Sequence, residues 1–193
     1  TLCGGTPFGP QAASLEQGAH VIVGTPGRQA VAQCIGSIRK RFDPDLVLAN
    51  AENAANGSGL TPQLYEKLCK VGVDAMTLGD HAYRKKQITN TLETKANIIR
   101  PANLPPAAKG RGWMTLNVDN KPPVMVITVL GRLFMNLPAE DPFRTVQQFL
   151  ASLKEPEPIV LVEIHAEATS EKQAMGWYFN GLVSAVIGTH THV

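Results

Sequence analysis

Short apolar runs alternate along this chain with segments of helical periodicity, and this alternation limits the fold more than any other feature. Such βα units build a mainly parallel sheet with helices on its faces. Six runs are predicted to be strands, and the sixth is closely bounded by Gly181 and Gly188. The predicted strands cover residues 19–23, 46–51, 75–78, 124–130, 159–164 and 183–187.

Helix signals lie between the predicted strands. Two of the helices begin with a proline in the first turn, where the missing N–H costs nothing. The proline-rich residues 100–106 and the residues 110–112 show no periodicity and are predicted to be surface loops. The helix starts are Thr61-Pro62 and Asp141-Pro142, and the predicted helices cover residues 29–42, 62–71 and 141–153.

Composition limits the class of protein. A chain of 193 residues that is 44% hydrophobic and 18% charged can form one full core, so a single domain is expected. The net charge of +2 comes from basic residues spread along the chain, which is not typical of a nucleic-acid-binding surface. Three cysteines without CxxC spacing favour a reducing compartment, and the sequence shows no leader or membrane-spanning run. We therefore expect a cytoplasmic protein with no membrane partner.

Polar side chains that can bind metal ions follow four of the predicted strands. The carboxyl ends of strands in open α/β sheets meet at a shared crevice. Carboxylate, amide and imidazole ligands without thiolate suit manganese, iron or zinc, and a carboxylate such as Glu52 can bridge two ions. Each histidine taken alone is equally compatible with a polar residue at a loop start. The candidates are Glu52, Asn53, Asp80, His81, His165, His190 and His192.

Several ordered motifs carry a family resemblance. They are Glu52-Asn53-Ala54-Ala55, Gly79-Asp80-His81, Arg100-Pro101-Ala102-Asn103 and the residues 167–172 and 188–193. These motifs resemble those of the bacterial YmdB-type metallophosphoesterases, the 2′,3′-cyclic-nucleotide 2′-phosphodiesterases. The resemblance runs from residue 24 to residue 193. It implies an α/β fold, a four-layered metallophosphoesterase-like sandwich with a mainly parallel sheet and flanking helices.

The resemblance also implies a reaction and a set of site residues. Two divalent metal ions, iron or manganese with zinc or magnesium as alternatives, would serve the hydrolysis of a small phosphodiester such as a 2′,3′-cyclic nucleotide. His81 would donate a proton to the leaving oxygen, or else would be a hydrogen-bonding residue behind the ligands. The implied ligands are Glu52 as the bridge, Asn53 and His192 at the first ion, and Asp80, His165 and His190 at the second.

The sequence departs from the family pattern in three ways. The family has a Gly-Asp pair where His20-Val21 stands, and valine cannot bind a metal ion, so activity is expected to be impaired and Val21→Asp to restore a ligand. The family usually has asparagine where Asp80 stands. Family members also continue beyond Val193, so C-terminal strands are expected to be missing, and a sheet edge left unpaired would favour a homo-oligomer.

Residues 1–28 resemble a second family. The Gly4-Gly5 pair and residues 25–28 resemble segments of the DEAD-box RNA helicases that touch the RNA backbone. The Gly-x-x-x-x-Gly-Lys-Thr loop and the Asp-Glu-Ala-Asp segment of those enzymes do not occur in this sequence, so helicase activity is not expected. We interpret the chain as a chimera, made by recombination or design, in which a helicase strand replaces the first strand of the phosphoesterase domain at 24–193.

Two hypotheses stand beside the metal-dependent phosphodiesterase. The chain is alternatively a folded but catalytically silent module, structural or chimeric, with residual metal binding. A third hypothesis is a weak RNA-binding fragment that uses Gly4-Gly5, Thr25 and Arg28. Metal analysis with phosphodiester turnover separates the first two hypotheses, and a salt-dependent RNA-binding assay addresses the third.

Overall fold

The structure is a computed structural model that describes residues 2–3, 21–25, 28–153 and 158–191. Its first sheet is fully parallel and has its five strands in chain order. The strands are β1 (Leu2–Cys3), β2 (Val21–Thr25), β3 (Leu46–Asn50), β4 (Ala75–Thr77) and β5 (Ile98–Ile99). The helices along this part of the chain are α1 (Arg28–Phe42), α2 (Pro62–Lys70) and α3 (Thr89–Thr94), the last preceded by a 3-10 turn at Lys86–Ile88.

The second sheet has four strands, again in chain order. Its first strand is antiparallel to the second, and the other neighbours are parallel. The strands are β6 (Trp113–Leu116), β7 (Val124–Leu130), β8 (Ile159–Ala166) and β9 (Ala185–His190). The helices α4 (Pro142–Ala151) and α5 (Thr169–Tyr178) follow β7 and β8 respectively.

The two sheets pack face to face with helices outside them. Because side chains alternate between the two faces of a strand, β3 contributes to two separate cores. Leu46 and Leu48 pack between the sheets, against Val126 and Leu161 of the second sheet. Val47 and Ala49 belong instead to the core shared with α1 and α2.

A third core lies on the outer face of the second sheet. There Val162 of β8 packs with Phe149 of α4 and Met175 of α5. The layers are therefore helices, sheet, sheet and helices, which confirms the α/β sandwich with mainly parallel strands and flanking helices. None of the helices in the described part of the chain is long and apolar enough to cross a membrane.

All six predicted strands occur, although two of them are displaced towards the carboxyl end. The strand predicted at 19–23 is Val21–Thr25, and the strand predicted at 183–187 is Ala185–His190. The prediction missed β1, β5, β6, α3 and α5, which are short or weakly periodic. The single sheet expected from strand alternation is two sheets.

The prediction of a surface loop at residues 100–106 is wrong for its first part. Arg100 is only 7% exposed and Asn103 only 1% exposed. The two terminal nitrogens of Arg100 donate to the carbonyl oxygens of Pro101, Ala102 and Ala108 at 2.7, 3.4 and 3.2 Å, whereas its buried Nε has no hydrogen-bond partner. Irregular backbone is thus buried here because polar side chains bond it.

The register of β2 contradicts the expectation that an aspartate at position 21 would lie beside the other metal ligands. Val21 pairs with Leu46 at the amino end of β3, and Gly24 pairs with Ala49 near its carboxyl end. At about 3.3 Å per residue, Val21 lies roughly 13 Å along the strand from the level of Asn50. A ligand at position 21 would therefore lie at the wrong end of the strand. His20, the Gly4-Gly5 pair and His192 fall outside the described residues.

Candidate functional site

Four side chains that can bind a metal ion meet where strands of both sheets end. Glu52 follows β3, Asp80 follows β4, His165 is near the end of β8 and His190 ends β9. Each of the four side chains offers one ligand atom, and these atoms all lie within 4.8 Å of one another. The parallel direction of these strands puts all four residues at one rim of the sandwich.

His165 is the centre of this cluster. Its Nε2 atom lies 3.1 Å from Oε1 of Glu52 and 3.1 Å from Oδ1 of Asp80. Nδ1 of His190 lies 3.7 Å from the same Asp80 oxygen, and the two imidazole rings are 4.8 Å apart between centroids. Glu52 and His165 are buried, whereas Asp80 and His190 are partly exposed. The cluster therefore has a buried floor and a side open to solvent.

Gly79 allows the backbone to approach this floor. A Cβ atom at position 79 would lie 2.2 Å from Nε2 of His165 and 2.4 Å from Oε2 of Glu52, which no side chain could tolerate. The glycine is required here for close approach and not for a special backbone angle. Any residue with a side chain at position 79 would displace the two buried members of the cluster.

The charges of the cluster favour a cation among its carboxylates. The hydrogen bond from His165 is the main cause that lowers the pKa of Asp80 to about 2, although burial opposes it. Burial acts against the charged form of His165, but its hydrogen bonds to Asp80 and Glu52 outweigh burial and raise its pKa to about 9. A carboxylate and imidazole set that holds a proton this firmly is also a donor set that suits a divalent metal ion.

Asn53 and His81 flank the cluster. Nδ1 of His81 lies 2.9 Å from Oδ1 of Asn53, and Nδ2 of Asn53 donates to Oε1 of Glu52 at 3.3 Å. The backbone N–H of His81 donates to the other Glu52 oxygen at 3.1 Å. Nε2 of His81 lies 3.6 Å from Oδ2 of Asp80. Both residues are thus fixed relative to Glu52 by direct hydrogen bonds.

A chain of buried polar side chains lies behind His165. Its Nδ1 atom is 2.9 Å from Oγ1 of Thr189, and that hydroxyl donates to Oε1 of Glu163 at 2.7 Å. Asn50 also donates to this Glu163 oxygen, at 2.6 Å. Because the Thr189 hydroxyl donates to Glu163, it accepts a hydrogen bond from Nδ1–H of His165. This arrangement turns Nε2 of His165 towards the cluster.

His190 is held in an unusual backbone conformation. Its φ angle is 82°, in the left-handed region that residues with a side chain seldom adopt. Its Nε2 atom lies 2.9 Å from Oε2 of Glu167, and a cavity of about 560 Å³ lies beside it, lined in part by Asp80, His81 and Glu167. Backbone strain of this kind collects at functional sites, where surrounding contacts hold it in place.

The structure brings most of the candidate residues together. Glu52, Asp80, His165 and His190 form the cluster, Asn53 and His81 adjoin it, and His192 falls outside the described residues. Sequence reasoning missed the supporting residues. A signal existed for Glu163, which is a carboxylate in an apolar run two residues before His165 and therefore on the same strand face. Asn50 and Glu163 were not predicted, and Glu167 and Thr189 lie in the family motifs at 167–172 and 188–193 but were given no role.

Comparison with known proteins gives relatives along most of the chain. The 2′,3′-cyclic-nucleotide 2′-phosphodiesterase of Bacillus subtilis is 40% identical over 172 residues, which are 89% of this chain and 64% of that protein. The chain spans less than two thirds of the length of the curated relatives that it matches.

Two solved structures are similar in fold and in sequence. One is a hypothetical protein from Thermus thermophilus, with a TM-score of 0.82 and 44% identity, covering 90% of this chain and 68% of that one. The other is a phosphatase from Mycoplasma pneumoniae, with a TM-score of 0.79 and 30% identity, covering 90% of this chain and 62% of that one. The family model described as YmdB-like protein matches residues 20–193, and this chain is therefore a member of that family.

Proposed function

We propose that this chain hydrolyses phosphodiesters, such as 2′,3′-cyclic nucleotides, at a centre of two divalent metal ions. The observation that carries the proposal is the cluster of Glu52, Asp80, His165 and His190, whose four ligand atoms lie within 4.8 Å of one another. The relative from Bacillus subtilis, whose name states this activity, supports the choice of substrate. The cavity of about 560 Å³ beside the cluster has the size typical of small-molecule sites.

The proposed ligands divide between two ions, of which iron and manganese suit the donor atoms best. Such ions supply Lewis acidity to a phosphoryl oxygen and lower the pKa of water. The exposed Arg84, which also lines the cavity, would add positive charge for the phosphate group. Glu52 would bridge the ions, Asn53 and His192 would hold the first, and Asp80, His165 and His190 would hold the second.

His81 is the proposed proton donor to the leaving oxygen. Asn53 fixes one ring nitrogen of His81, and the other nitrogen lies near Asp80 beside the cavity. An imidazole ring nitrogen within reach of the leaving oxygen can act as a general acid. Glu167 would orient His190 in the same way that Thr189 orients His165, each through the ring nitrogen on the far side from the proposed ions.

We also propose that the first metal ion is bound weakly. Residues 21–25, which form β2, contain no carboxylate, whereas the family has an aspartate at the end of its first strand. One fewer charged ligand lowers the affinity for a divalent ion. The interpretation of residues 1–28 as a helicase-derived replacement accounts for this loss and stays a prediction.

Metal analysis and turnover together test the proposed function. We expect at least one ion per purified chain and hydrolysis of bis-p-nitrophenyl phosphate that increases with added Mn²⁺. Glu52→Gln should reduce both metal content and rate, because an amide bridges two cations poorly. Glu66→Gln, on the exposed surface of α2, is the matched control and should change neither. Less than one ion per chain with no turnover would favour the catalytically silent module.

A further inference from the structure

An exposed aromatic side chain lines the cavity beside the cluster. Phe134, in the loop after β7, is 82% exposed and lines the cavity together with Met135 and Leu137. The backbone of Phe134 has a φ angle of 62°, which is uncommon for a bulky residue. A large apolar side chain that is both exposed and strained contributes little to stability, so its position calls for another reason.

The loop that carries Phe134 is fixed at both ends by one buried residue. Asn103 donates through Nδ2 to the carbonyl oxygens of Leu130 at 2.8 Å and Glu140 at 2.9 Å. Its Oδ1 atom accepts from the Leu130 N–H at 2.8 Å, and its carbonyl oxygen accepts from the Glu140 N–H at 2.8 Å. The last residue of β7 and the residue before the Asp141 cap of α4 are therefore both bonded to Asn103.

The stem of the loop is fixed a second time by α5. The carboxylate of Glu171 accepts the N–H groups of Arg132 at 2.9 Å and Leu133 at 3.1 Å. A Cβ atom at Gly131 would lie 2.5 Å from this carboxylate and 2.5 Å from Cβ of Ala166, so only glycine permits this approach. The hydrogen bonds from Asn103 and to Glu171 therefore fix the loop in a conformation in which the exposed side chain of Phe134 lines the cavity.

We propose that Phe134 is the stacking surface for the nucleobase of the substrate, which makes it a specificity-determining residue. The inference rests on the proposed function and extends it, because it names the part of the substrate that the apolar side chains of the cavity recognise. The same cavity is lined by Asp80, His81 and His190, so a phosphodiester bound at the cluster has its substituents in the cavity that Phe134 also lines. Stacking on an aromatic face accepts any base, since every base has a π face.

The sharpest test compares two substrates that differ only in the base. Adenosine 2′,3′-cyclic phosphate and methyl riboside 2,3-cyclic phosphate present the same reacting group. We expect Phe134→Ala to raise KM for the adenosine substrate at least about fivefold more than KM for the base-free substrate, since loss of base stacking has effects of this order. Phe134→Trp should restore the preference for the adenosine substrate.

Trp177→Ala is the matched control, because Trp177 is 80% exposed but does not line the cavity. Calorimetric binding of the products adenosine 3′-monophosphate and methyl riboside 3-phosphate gives a second measurement that needs no turnover. If the wild type binds the adenosine product more tightly but hydrolyses neither substrate, the proposed function fails and the stacking site stands. Equal losses for both ligands in Phe134→Ala, or no loss for either, overturn the stacking site.

Discussion

The hydrogen bonds behind His165 decide how well this imidazole can bind a metal ion. Thr189 is 4% exposed and Glu163 is 3% exposed, so the hydrogen bonds between them are shielded from water. Groups of this kind fix the ring orientation of a metal-binding histidine and raise its basicity. The affinity of the cluster for metal ions should therefore depend on residues that touch no ion.

Thr189→Val tests this dependence, because it keeps the shape of the side chain and removes the hydroxyl. We expect the affinity for Mn²⁺, measured by isothermal titration calorimetry, to fall roughly 10- to 100-fold. Thr189→Ser keeps the hydroxyl and should bind as the wild type does. Thr115→Val, on the exposed side of β6, is the control. If Thr189→Val binds Mn²⁺ as tightly as the wild type does, the Thr189 hydroxyl does not position His165.

Single residues also show what could be predicted from the sequence at the site. The sequence was sufficient to predict the four residues of the cluster, because each of them follows or ends an apolar run and strand ends converge in such folds. They are Glu52, Asp80, His165 and His190. Glu163 lies inside a strand two residues before His165, so the sequence places it on the same strand face, but its hydrogen bonds to Asn50 and Thr189 join strands that only the fold brings together. The constraint on Gly79 likewise comes from a contact across the fold.

At the scale of secondary-structure elements, capping signals fixed the helix starts most accurately. The structure confirms the predicted start of α4, where Oδ1 of Asp141 accepts from the N–H groups of Phe143 at 2.8 Å and Arg144 at 3.1 Å. A cap of this type is a local interaction among neighbouring residues. Local chemistry is therefore sufficient to predict it, whereas short strands such as β5 exist only because a neighbouring strand bonds them.

Removing the Asp141 cap should destabilise the fold without affecting the site. We expect Asp141→Ala to lower the free energy of unfolding by about 1 kcal/mol, measured by urea denaturation, with unchanged metal content. Asp119→Ala removes an exposed carboxylate that caps no helix and is the control. A loss in Asp119→Ala equal to that in Asp141→Ala would show that net charge, and not capping, determines the change.

The register of β2 leads to a second prediction at this scale. Thr25 lies one residue beyond the Gly24 and Ala49 pair, so it is level with the end of β3, whereas Val21 lies at the strand's other end. We expect Thr25→Asp to raise metal content and turnover, because it adds a carboxylate near the rim, and we expect Val21→Asp to change neither. Elemental analysis with Mn²⁺-dependent hydrolysis measures both. The reverse result would contradict this register and would support the correspondence of Val21 to the aspartate of the family.

At the scale of the whole molecule, the cluster joins two sheets that the sequence pattern did not separate. Glu52 and Asp80 follow strands of the first sheet, and His165 and His190 belong to strands of the second. Alternation of strands and helices is the same for one parallel sheet and for two, so periodicity alone cannot divide them. The division depends on which strand faces are covered by the other sheet, and this is a property of tertiary packing.

A site shared by two sheets links metal binding to the stability of the sandwich. An ion that binds only the folded chain stabilises it by about 2.7 kcal/mol when free metal is a hundred times its Kd. For a chain of this size, the Tm should then rise by roughly 5–10 °C. Glu52→Gln should lose most of this rise in differential scanning calorimetry with Mn²⁺, and a chelator should abolish it in the wild type. An unchanged rise in Glu52→Gln would mean that the stabilising ion binds elsewhere. Glu52, which follows a strand of the first sheet, is buried and its carboxylate contacts His165 of the second sheet.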